Sequence, residues 1–68
     1  MTNRVRELRQ RGEGMTQQKL AEAVGVSRQT IIAIESGRYS PSLEVALKIA
    51  REFGEPVEVV FELVTTAD

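Results

Sequence analysis

"TQQKLAEAVGVSRQTIIAIESG", residues 16–37, decides how the rest of the chain is read. Two apolar-periodic stretches, 17–24 and 28–36, flank "GVS". Each is preceded by a hydroxyl residue and followed by a glycine. Thr16 and Ser27 suit N-cap positions, where a side-chain oxygen accepts a first-turn N–H that has no helical partner. Leu20, Ala21 and Val24 repeat at helical spacing in the first stretch, and Ile31 and Ile34 in the second. Gly25 and Gly37 stand where a helix end wants a left-handed residue. Ala21 is small where two helix axes would cross closely, and Val26 fills the space beneath the turn. The pattern predicts two short helices joined by a sharp bend, a helix-turn-helix.

The outward positions of the second helix hold Ser27, Arg28, Gln29 and Thr30, then Ile32 and Ala33. This order suits the major groove of a DNA duplex. An arginine fork matches guanine O6 and N7, a glutamine amide matches adenine, and small apolar groups meet the thymine methyl. Donors at the start of the helix fit, because the leading end of such a helix meets base edges. The plainer readings are a solvated helix start for Arg28 and Gln29, and a core or interface role for Ile32.

Around this pair the chain reads as further short helices. Thr2 or Asn3 can cap a first helix reaching about Arg11, with Val5 and Leu8 inward, and "GEG" (12–14) ends it. Pro41 holds Ser40 extended, and Ser42 caps a helix over 43–53. There Leu43, Ala46, Leu47, Ala50 and Phe53 recur at three- and four-residue spacing, which predicts that they face inward. Pro56 opens a short helix at 56–61, followed by an extended segment at 62–66, where β-branched residues are dense. The expected fold is all-α: a compact bundle of four or five helices with a short C-terminal β or extended segment. Residues 1–61 form the binding domain and 62–68 a C-terminal extension.

"MTQQKLAEAVGVSRQTIIAIESGRYSPSLEVALKIAREFG", within residues 3–61, resembles the phage-repressor helix-turn-helix proteins, the lambda-repressor-like or XRE family. The resemblance implies a short single-domain regulator, a repressor, that binds double-stranded DNA as a homodimer. It implies that Gln17 touches a phosphate and buttresses the reading helix. Ser27, Arg28, Gln29, Thr30, Ile32 and Ala33 would occupy base-reading positions, and Ser36, Arg38 and Tyr39 would meet backbone phosphate. Arg9 and Glu35 would form a structural pair tying the first helix to the end of the third. A dimer would set two reading helices roughly 34–36 Å apart on a pseudo-palindromic operator.

Charge is divided along the chain. Residues 1–38 carry +3 and residues 39–68 carry −4, within a net −1. A polyanion would meet the first half. Arg4, Arg6 and Arg11 either lie near phosphate or form a solvated face. At the acidic end, the apolar Phe61, Leu63 and Val64 are the expected dimer surface. Glu55, Glu58 and Glu62 have helical spacing, but with no histidine or cysteine in the chain a solvated face is the better reading than a metal site. The same lack leaves Ser27 and Ser42 without an obvious catalytic base, so an enzyme is not expected, nor a cofactor or metal. The absence of cysteine fits a reducing cytoplasm. "MTNRVRELRQ" has no apolar core of a signal peptide, and the longest apolar run is Ile31 to Ile34, so no membrane partner is expected. A protein-interaction adaptor or an antitoxin-type module on the same fold is the alternative.

Overall fold

The computed structural model describes residues 1–63. In chain order it contains strand β1 (Thr2–Asn3), helices α1 (Val5–Arg9), α2 (Gln17–Val24), α3 (Arg28–Glu35), α4 (Leu43–Phe53) and α5 (Val57–Val60), and strand β2 (Phe61–Glu62). This is the all-α bundle expected, closed by a two-stranded antiparallel ribbon.

The α2–α3 pair forms as its capping residues dictate. The Thr16 hydroxyl accepts from the Lys19 N–H, and Gly25 takes φ 79° at the bend. The Ser27 hydroxyl accepts from the Thr30 N–H. At the far end of α3, Gly37 adopts φ 80°. There the Arg38 N–H reaches the Ala33 carbonyl at 3.0 Å and the Gly37 N–H reaches Ile34 at 3.1 Å, a Schellman closure. Leu20, Ala21, Val24, Ile31 and Ile34 are all buried. The nearly complete burial of Ala21 fits a close helix crossing.

α4 corrects the expected inward face. Leu43 is 73% exposed and Leu47 48%, whereas Ala46, Ile49 and Ala50 are buried, with Val45 and Phe53 packed beside them. Two overlapping apolar stripes run along this helix, and periodicity alone does not choose between them. Contacts with α2 and α5 select the stripe centred on Ile49, and Leu43 falls in the first turn on the solvent side.

The first helix is also shorter than expected. Thr2 and Asn3 are strand residues, opposite Glu62 and Phe61. Arg4 occupies the N-cap position without a side-chain cap bond. Asn3 still serves the helix start, since its Oδ1 accepts from the Val5 N–H at 3.1 Å. Its Nδ2 donates to the Ile34 carbonyl at 2.9 Å, joining the N-terminal segment to the end of α3. α1 stops at Arg9 because the chain folds back there: the Met15 N–H bonds the Arg9 carbonyl at 2.7 Å.

At the C-terminus a short helix passes into extended chain one residue earlier than expected, at Phe61. Glu58 therefore lies on α5 and Glu62 on β2, so no single helical face carries the three carboxylates. The rest of the segment expected to be extended, residues 64–66 with Val64, lies outside the described residues. Among the described residues no helix is long and apolar enough to cross a membrane.

Candidate nucleic-acid interface

The two ends of α3 are held differently. At its start Arg28 and Gln29 are exposed. Among the described residues, neither side chain has a hydrogen-bond partner within the protein. Ser27 and Thr30 instead bond to each other, Oγ to Oγ1 at 2.9 Å, while Ser27 also caps the helix. Of the four polar positions at the leading end, two therefore fix the backbone and two are free to meet a ligand. Ile32 and Ala33 are half-buried on the same side, one turn further along.

At its other end α3 is locked. Glu35 accepts from Arg9 Nε at 2.7 Å and Arg9 Nη2 at 3.3 Å. Gln17 Nε2 donates to the same carboxylate at 3.2 Å, and Arg9 Nη1 donates to the Met15 carbonyl at 2.9 Å. The side chains of Arg9 and Glu35 are only 11% and 7% exposed. Among the described residues no buried side-chain polar atom lacks a partner. One nearly buried carboxylate thus gathers α1, α2 and α3. Removing one member of such a pair strands a charge away from water, at a cost of about 3–5 kcal/mol.

Between α1, the start of α2 and the side of α3 runs an open groove of about 870 Å³. Arg28, Ile32, Glu35 and Ser36 form one wall, Arg6 and Arg9 line α1, and Thr16, Gln17 and Gln18 line the first turn of α2. One amide N–H of Gln17 is spent on Glu35, so a contact with an anion would use its other amide hydrogen or its first-turn backbone N–H. Ser36 is placed beside the groove, but its hydroxyl donates to the Ala33 carbonyl at 3.1 Å. Its single proton is committed there. Arg38 and Tyr39 are exposed just beyond the helix.

Gln18, which no motif singles out, and Thr16, whose sequence signal is that of a cap, both border the groove. Arg6 stands three residues before Arg9, an offset that puts both on one side of α1, and both line the groove. Arg4 and Arg11 line other depressions. Arg11 pairs with Glu55 at 2.7 Å and donates to the Phe53 carbonyl at 2.8 Å. Of the three residues expected at a dimer surface, Phe61 is 8% exposed and belongs to the core of its own chain, Leu63 is 77% exposed, and Val64 is outside the described residues.

The profile of the helix-turn-helix family matches residues 5–60. An uncharacterized HTH-type transcriptional regulator of Bacillus subtilis, YgzD, is 56% identical over 63 residues, covering 93% of this chain and 94% of that protein. An uncharacterized HTH-type transcriptional regulator of Methanothermobacter thermautotrophicus is 63% identical over 51 residues, covering 74% of each chain. The cryptic phage CTXphi transcriptional repressor RstR of Vibrio cholerae is 34% identical over 68 residues, covering 98% of this chain and 60% of that repressor.

Proposed function

We propose that this chain, which belongs to the helix-turn-helix family, is a transcriptional regulator that binds duplex DNA by inserting the leading end of α3 into the major groove. The observation carrying this reading is the contrast within α3: Arg28 and Gln29 project without partners among the described residues, while Glu35 is bonded to two other helices. A side chain that reads bases must be unspent before binding, and its helix must not move when it binds. Arg28 would donate to guanine and Gln29 to adenine, with Ile32 and Ala33 against thymine methyl groups. Ser27 and Thr30 support the same positions by closing the helix start. Gln17, Arg38 and Tyr39 would hold backbone phosphate. Ser36 would do so only by turning away from Ala33.

The chain works on this reading as a homodimeric repressor. The second half-site contact becomes effectively intramolecular once the first has formed, which raises affinity without a new kind of contact. Leu63 and the segment after it supply the dimer surface, and Phe61 supports that surface from inside the core.

Selection from a random duplex library tests the proposal. The expected product is a pseudo-palindrome with half-sites about 10–10.5 base pairs apart, or a multiple of that spacing. A library that emerges unenriched would point to the adaptor role instead.

A further inference from the structure

We propose that Arg6 is a DNA-backbone contact, gripping a phosphate of the strand lodged in the groove opposite Arg28, whereas Arg4 and Arg11 are not. The inference rests on the reading of α3 as a major-groove helix. Of the four arginines in residues 4–11, Arg9 is paired with Glu35, and the fold gives the other three different surroundings. Arg11 has its guanidinium spent on Glu55 and on the Phe53 carbonyl. Arg4 lies in a separate depression whose lining includes Glu58 and Glu62. Arg6 is exposed on the wall of the α3 groove and has no ion-pair or side-chain hydrogen-bond partner among the described residues.

The charge balance of that groove favours an anion. Of the four charged side chains lining it, Arg9 and Glu35 neutralise each other at 2.7 Å. Arg6 and Arg28 are left as two cations on facing walls with no ion-pair partner among the described residues. An arginine at such a place holds a phosphate and positions the protein without reading sequence. Arg28 is then the specifying cation of the groove and Arg6 the anchoring one.

Salt dependence separates the two roles. The probes are the duplex that emerges from selection and a random-sequence duplex, titrated by fluorescence anisotropy against wild type, Arg6→Gln, Arg6→Lys and Arg4→Gln. Loss of one phosphate contact makes the log–log salt slope shallower by about 0.9. The affinity advantage of wild type over Arg6→Gln therefore shrinks about 3.5-fold between roughly 50 and 200 mM salt on either duplex. Arg6→Lys and Arg4→Gln should keep the wild-type slope. An unchanged slope for Arg6→Gln overturns the inference while leaving the DNA-binding reading intact. An equal loss in Arg6→Lys would assign Arg6 a structural role. An equal loss in Arg4→Gln would mean that overall charge matters and placement does not. Wild type that binds neither duplex defeats the functional reading itself.

Discussion

The leading and trailing ends of α3 are built on opposite principles. The leading end exposes a guanidinium and a carboxamide that have no bonding partner among the described residues. The trailing end buries a carboxylate that accepts three hydrogen bonds from two neighbouring helices. The difference teaches how a small domain makes a binding edge. Idle donors at one end are useful only because fully occupied groups at the other fix where they point. The Schellman closure at Gly37 and the Asn3 bond to the Ile34 carbonyl add to the fixed end.

The strongest way to break this contrast is to empty the fixed end. Glu35→Ala should cost about 3–5 kcal/mol of folding stability, because Arg9 is left as a nearly buried unpaired charge. Replacing both partners by apolar residues of similar size should recover most of that loss. Urea denaturation of the single and double variants checks both expectations.

The packing beneath the reading helix comes next. Ile49→Ala should cost about 2–5 kcal/mol, since Ile49 is fully buried at the centre of the core. Thermal melts followed by circular dichroism would detect this as a fall in Tm. At the leading end, Ser27→Ala should cost about 0.5–2 kcal/mol, because it removes the cap that holds Arg28 and Gln29 in register. Leu43→Ala should change stability by no more than about 0.5 kcal/mol, since the side chain is 73% exposed. If Leu43→Ala matched Ile49→Ala in the melts, the assignment of the inner face of α4 would be wrong.

These expectations mark where the fold was legible in sequence and where it was not. α2 and α3 were readable because their signals are local: a hydroxyl cap, an apolar stripe and a glycine lie within one short window. The α4 face was not, because the ladder through Leu43 and Leu47 and the ladder through Val45 and Ile49 share Ala46, Ala50 and Phe53. Only tertiary contact breaks that tie. The start of α1 depends on Asn3 meeting Phe61, a pairing across almost the whole described chain, and no local pattern announces it. In the candidate site, residue types at the leading end of α3 pointed to nucleic acid before any geometry was known. The sorting of Arg4, Arg6 and Arg11 was invisible, because it turns on which carboxylates and carbonyls the fold brings beside each.

The central claim is that Arg28 reads a base. It is tested most directly by measuring the binding of wild type and Arg28→Ala to the selected duplex and to a random one at a single salt concentration. The account predicts a loss of about 1–3 kcal/mol on the selected duplex, a smaller loss on the random one, and relaxed preference at one base pair in each half-site. Equal losses on both duplexes, with base preference intact, would make Arg28 a backbone contact and contradict the account.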